Sequence, residues 1–184
     1  MTVNPKRIAR GILYENDIYK DEEYKKASFD ALKFETESFS EKLGTWPDLR
    51  VKDRENKVMN GFCTGAPGEG SMLLSLNEYK GSIPDYDKNL NRAIDFCMSH
   101  DVYRDHLCCG NAASADFMVD LYNNTGDTKY MDKARALLCT NKEYAYLPDT
   151  DRNTFVGSLI FGAAGVGYEL LRLQNPSLLP SVLI

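Results

Sequence analysis

Apolar positions along this chain recur at three-, four- and five-residue intervals, so the sequence predicts helices. Residues 6–43 read as two of them. Ile8, Ile12 and the Leu13/Tyr14 pair mark the apolar face of the first; Tyr24, Ala27, Ala31, Phe34 and Phe39 mark that of the second, with Lys20-Asp21 as the turn between them. The segment Gly44-Thr-Trp-Pro-Asp-Leu-Arg50 ends this hairpin, because Pro47 disfavours helix at Trp46. A charged run, KDRENK, follows, and Trp46 is expected to anchor a loop in the core.

Beyond that run the chain repeats itself. Gly65-Ala-Pro-Gly68, Gly110-Asn-Ala-Ala113 and Gly162-Ala-Ala-Gly165 are three glycine-rich turns whose first glycines lie 45 and 52 residues apart. Each leads into an apolar helical run: SMLLSLNEY, SADFMVDLY and VGYELLRL. A second helix falls between turns, best seen in residues 128–139, where Tyr130, Ala134, Leu137 and Leu138 form a stripe after Asn-Thr-Gly126-Asp. Such hairpins bury their faces only by stacking on one another. The predicted fold is therefore all-α, a toroid or solenoid of helical hairpins. Glycine lets the backbone come close to a neighbouring element or take positive φ; for residues 162–167 close packing of inner helices is the expected reason.

Composition narrows the function classes. A chain of 184 residues, 43% of them hydrophobic, buries one substantial core. Twenty-two basic against 27 acidic residues give a net charge of −5 with no basic block, which argues against nucleic acid as a partner. There is no secretory h-region at the start, and the most apolar stretch, residues 155–173, is broken by glycines, Glu169 and Arg172, so no transmembrane segment is expected. A cytoplasmic location follows, and there five cysteines read as metal ligands, reactive thiols or small buried hydrophobes.

Two of the three turns carry thiols. Cys63 lies two residues before Gly65, Cys108 lies two before Gly110 and Cys109 adjoins it, whereas the third turn has Ile160 and Phe161 there. If the hairpins stack around a common axis, these thiols converge at the mouth of the inner helices. Zinc suits such a set, with a fourth position left for water or a substrate sulfur. There is no Cys-x-x-Cys pair, and vicinal cysteines also occur as small buried hydrophobes, so spacing alone leaves both readings open. Cys97 and Cys139 fall on helical stripes and are expected to be buried.

GFCTGAPGEG, LCCGNAA and GAAGVGYELLRL followed by LPSVL resemble the three consecutive closing motifs of lanthionine synthetase cyclases, in order and spacing. The Gly44–Arg50 phrase resembles the segment before those motifs in the class II, two-domain lanthipeptide synthetases. The resemblance implies an α/α toroid, with residues 1–184 as the carboxy-terminal portion of the cyclase domain, incomplete at its amino terminus. It also implies one Zn2+ on Cys63, Cys108 and Cys109, and a substrate pocket touching Phe62, Thr64 and His106. The implied reaction is addition of a peptide Cys thiol to dehydroalanine or dehydrobutyrine, giving lanthionine or methyllanthionine rings in a dehydrated ribosomal precursor peptide. The alternative is a zinc-thiolate module that binds peptide thiols or glutathione without turnover; a third reading makes the zinc a structural staple.

Several positions depart from the family pattern: Phe62 stands for tryptophan, Thr64 for a polar aromatic or imidazole group, Glu69 for an aliphatic residue and Ala113 for glycine. No catalytic residue is assigned, because the family's Ala-His-Gly motif precedes the region that this chain matches, and neither His100 nor His106 falls on its position. His106 is expected at the surface or behind the ligands, and His100 near a helix end. A partner supplying the missing amino-terminal part is expected. Alone, the chain should then expose apolar hairpin faces at its amino-terminal edge. Size-exclusion chromatography with an apolar-surface dye checks this; a stable monomer that takes up little dye would contradict it.

Overall fold

The computed structural model describes residues 22–50, 58, 60–102, 104–139 and 156–184. Ile8, Ile12, Leu13, Tyr14, the Lys20-Asp21 turn and the KDRENK run lie outside them. The described residues are all-α: α1 (Glu22–Glu37), α2 (Ala66–Ser75), a 3-10 segment (Asn77–Ser82), α3 (Tyr86–Ser99), α4 (Asn111–Thr125), α5 (Thr128–Leu138) and α6 (Ala163–Gln174). The β pairing among them is an isolated bridge between Ser40 and Thr45. None of the described helices is long and apolar enough to cross a membrane.

The repeat sets the packing. α2 lies on α4 and α4 on α6, while α3 pairs with α2, and α5 pairs with α4 and touches α6. An inner row of helices thus stands behind an outer row. The inner helices are buried nearly all round: residues 66–73 of α2 and 111–119 of α4 are buried without interruption. Ala112, Ala113 and Ala115 allow α4 to sit close to its neighbours. The outer helices each bury a stripe, such as Tyr86, Asn89, Ala93, Phe96 and Cys97 on α3. On α5 the stripe is the expected one, with Tyr130, Ala134, Leu137 and Leu138 buried. Its start is fixed by Gly126 at φ 72° and by Asp127, whose side chain accepts from the Lys129 N–H.

Trp46 is the loop anchor expected of it. It is 2% exposed, its indole N–H donates to the Glu35 carbonyl at 3.0 Å, and it meets Phe39 edge-on at 4.8 Å. Two expectations need correction. α1 buries Ser28, Leu32 and Glu35, while Tyr24 and Phe34 of the predicted stripe are 46% and 51% exposed. Both sets satisfy helical spacing. Tertiary bonds chose the polar one, through the Glu35 carbonyl under Trp46 and Leu32 in a small core with Met72, Leu73, Leu76, Ile83 and Tyr86. Cys139 is exposed rather than buried, because α5 ends at Leu138 and Cys139 is its cap. Cys97 is fully buried as expected.

The far end of the bundle is held by charge. Arg172 of α6 is buried and pairs with Asp116, with Asp120 at 2.6 Å and with Glu169 at 3.3 Å. Its Nε–H also donates to the Leu179 carbonyl, and the Ser181 hydroxyl donates to Asp116, which fastens the carboxy-terminal segment against α4 and α6. One cation cannot balance three ionised carboxylates away from water. Burial, then the Asp116 charge, pushes the Glu169 carboxyl up to about 9 against the pull of Arg172. Burial also pushes Asp116 up to about 6, opposed by Arg172.

Both carboxyls hold their protons more tightly folded than unfolded, where ordinary values are 4.5 and 3.8. Their stabilisation is complete below those ordinary values and is lost as pH rises toward about 6 for Asp116 and about 9 for Glu169. A single retained proton contributes at most about 1.4 kcal/mol per pH unit, or about 3–5 °C in a domain of this size. The melting temperature should fall between pH 6 and pH 8.5, and Glu169→Gln should flatten that fall. Calorimetry at the two pH values measures it; an equally steep fall in the variant would refute it.

Candidate metal centre

Each inner helix begins directly after a glycine. Gly65, Gly110 and Gly162 cap α2, α4 and α6 with extended ψ of −175°, −176° and −167°. Gly65 alone of the three has positive φ, 113°, which L side chains rarely adopt. The turns also pack on one another at backbone distance. A Cβ on Gly61 would fall 2.7 Å from the Cys108 carbonyl oxygen and 2.7 Å from Cys109 Cα; one on Gly165 would fall 2.8 Å from Leu107. Gly162 is likewise closed in by the Val156 carbonyl, so close packing is the reason expected for the third turn, although Gly167 faces open space.

The Cys108 residue ties the three turns together. Its N–H donates to the Ile160 carbonyl of the third turn at 3.1 Å, and its carbonyl accepts from the Phe62 N–H of the first at 2.7 Å. These bonds carry the thiols together. Cys63 Sγ lies 3.3 Å from Cys108 Sγ across 45 residues of sequence, and Cys109 Sγ lies 3.5 Å from Cys108 Sγ. Cys108 is buried, while Cys63 and Cys109 are half-buried. Cys97 does not join them; its sulfur lies 4.0 Å from Asn60 Oδ1, deeper in the core.

Two residues behind the thiols shape this turn. His106 is 2% exposed, and its Nδ1 accepts from the Cys109 N–H at 3.2 Å, so a neutral ring carries its proton on Nε2. It lies behind the thiols, one of the two places expected for it. Asn111, the first residue of α4, clamps the incoming loop: its amide donates to the Val102 carbonyl and to Asp105 at 2.8 Å each, and its Oδ1 accepts from the Val102 N–H at 2.9 Å. Asn111 stands in the quoted Gly-Asn-Ala-Ala turn, and an asparagine at a helix start is the signal that would have found it. Phe62 is buried in the main core and Thr64 is half-buried. His100 caps α3, as expected, and stacks on Phe96 at 4.0 Å.

Electrostatics sets what the thiols can hold. Contacts with Cys109 and Cys63, then burial, push the Cys108 thiol far above the ordinary thiol range. Three thiolates together therefore require a compensating cation. The donor chemistry fits a soft or borderline ion such as zinc. Among the described residues no set of three or more His, Cys, Asp or Glu side chains already surrounds an ion position. The sulfurs form a chain whose contacts are shorter than the about 3.8 Å that separates ligands at about 2.3 Å on a tetrahedral zinc, so they must spread by a few tenths of an ångström.

Asp48 and Arg50 form an ion pair with each other. Asp48 accepts from Arg50 Nε at 2.7 Å, from Nη2 at 2.7 Å and from the Arg50 N–H at 3.0 Å. The Arg50 side chain holds the Asp48 carboxyl below its ordinary value. Arg50 is in turn raised, first by Asp48 and further by the charges of Cys63 and Cys109.

A family model described as lanthionine synthetase C-like protein matches residues 8–184. No curated protein matches the chain.

Gly61→Ala should push the first and second turns apart and destabilise the fold by about 1–3 kcal/mol. In metal-free protein, mild oxidation should cross-link Cys63 to Cys108 in the wild type and do so more slowly in the variant. Denaturant titration and peptide mapping read the two effects; a variant with unchanged stability and cross-linking would show that the turns do not depend on this approach.

Proposed function

Because the chain belongs to the lanthionine synthetase C-like family, we propose that it takes part in thioether ring closure on dehydrated peptides, with Cys63, Cys108 and Cys109 holding one zinc ion. The observation that carries this reading is the meeting of the three sulfurs, at 3.3 and 3.5 Å, from two turns far apart in sequence. When bound, zinc supplies the Lewis acidity that keeps a peptide thiol deprotonated near neutral pH. Cys63 and Cys109 form the open side of the cluster and Cys108 its buried side, so the peptide enters past the first two.

The sulfur adds to the β-carbon of dehydroalanine or dehydrobutyrine, and the α-carbon then takes a proton. His106 is a positioning residue in this scheme: its Nδ1 is committed to the Cys109 N–H, and its burial keeps it behind the ligands rather than against the peptide.

Metal content measured by mass spectrometry tests the reading. One zinc per chain is expected in the wild type, falling below about a tenth of that in Cys63→Ala, Cys108→Ala and Cys109→Ala while the helical circular dichroism persists, because loss of one thiolate in three removes a large part of the binding free energy. Folded wild type without zinc, or cysteine variants that keep it, would refute the assignment.

A further inference from the structure

The third turn carries no thiol, yet it is built as the second is. Gly110 and Gly162 cap their helices with nearly the same backbone, φ −134° and ψ −176° against φ −142° and ψ −167°. Directly after each glycine, the helix N–H donates to a carbonyl seven residues back, Asn111 to Arg104 and Ala163 to Val156, both at 2.8 Å. Directly before each, the N–H is taken by a side chain three residues back: Cys109 by His106 Nδ1 and Phe161 by Ser158 Oγ, both at 3.2 Å. Phe161 therefore stands in its turn as Cys109 stands in the second.

Direct contacts join it to the thiol turn. Ile160, the residue before Phe161, accepts from the Cys108 N–H at 3.1 Å. The Phe161 ring lies 5.7 Å from that of His106, whose Nδ1 holds the Cys109 N–H. Counted from the turn glycine, Leu159 matches Leu107, but Leu107 is fully buried whereas Leu159 is 42% exposed and Phe161 48%. Residues 156–164 carry no charge. The third turn thus leaves a phenyl ring and a leucine in water beside the thiols, and a further apolar group would remove that surface from water.

We infer that Phe161 and Leu159 form an apolar subsite of the thiol site, taking an apolar side chain next to the reacting cysteine of the peptide. This rests on the thiol-binding reading above. Consecutive Cα atoms are about 3.8 Å apart, so a peptide whose thiol joins the sulfur cluster brings its neighbouring side chains within reach of the third turn. The sulfurs alone accept any thiol. The ring adds a choice by sequence.

The test compares two blocked tripeptides, acetyl-Leu-Cys-Leu-amide and acetyl-Ser-Cys-Ser-amide, by titration calorimetry on zinc-reconstituted protein. Wild type should bind the leucine peptide about 10-fold more tightly, the gain from covering part of one leucine side chain. Phe161→Ala should bring the two peptides within about 2-fold of each other, and Phe161→Leu, which keeps apolar surface without the ring, should retain part of the preference. Zinc content reports that the thiol site is intact in each protein; if either phenylalanine variant loses its zinc, Leu159→Ser, which spares the ring, carries the comparison and should weaken the preference. Equal affinities in the wild type, or a preference that survives in Phe161→Ala, would overturn the inference while leaving the zinc-thiol reading standing. If that variant keeps the preference but loses a wild-type dimer seen by sedimentation, the ring faces a second copy and the inference is likewise overturned. Binding of neither peptide by the wild type would overturn the thiol-binding reading and this inference with it.

Discussion

The peptide of Cys108 is the constraint on which the thiol site depends. Its N–H bonds to the third turn and its carbonyl to the first, so one residue sets the spacing of three hairpins. Neither bond tolerates much separation, because a hydrogen bond weakens steeply beyond about 3.2 Å. The glycines follow from that: Gly61 must let the Cys108 carbonyl in, and Gly165 must admit Leu107. The sulfurs meet because the backbones already touch.

This explains why the bundle invests burial in its inner row. α4, which carries Cys108 and Cys109 just before its first turn, is enclosed by α2, α5 and α6, and its buried face extends from Asn111 to Val119 without a break. At the far end of the same helix Asp116 and Asp120 hold Arg172 of α6, and Ser181 adds the carboxy-terminal segment. α4 is thus pinned to α6 twice, by backbone near Cys108 and by charge near Arg172. A buried ion pair costs desolvation, and its return is specificity of register more than stability. In this bundle it fixes the height of α6 against α4, and with it the position of the Ile160 carbonyl above Cys108.

The repeat, the all-α class and the convergence of the thiols were legible because each follows from a periodic signal: glycine-rich turns at similar spacing, each followed by an apolar run. The buried face of α1 was not legible. Its apolar stripe and its buried set both recur at helical spacing, and the choice came from a carbonyl under Trp46, a contact made by backbone rather than by residue type. Cys139 failed for a local reason, since a stripe says which face is inward but not where the last turn ends. Arg172 lay in plain view within LLRL, yet its partners Asp116 and Asp120 come from a helix more than fifty residues earlier, and no local rule links them to it.

The burial of the three sulfurs is graded. Cys108 is enclosed by the turns it joins, whereas Cys63 and Cys109 are half-buried. Behind them His106 and Asn111 direct their polar atoms at backbone, Nδ1 to the Cys109 N–H and the amide to the loop before it. These bonds hold the backbone of the vicinal cysteine pair and of the loop before it. A pair of cysteines packed only for its volume would need neither. The two thiol-bearing turns therefore hold their cysteines by directed polar bonds as well as by packing.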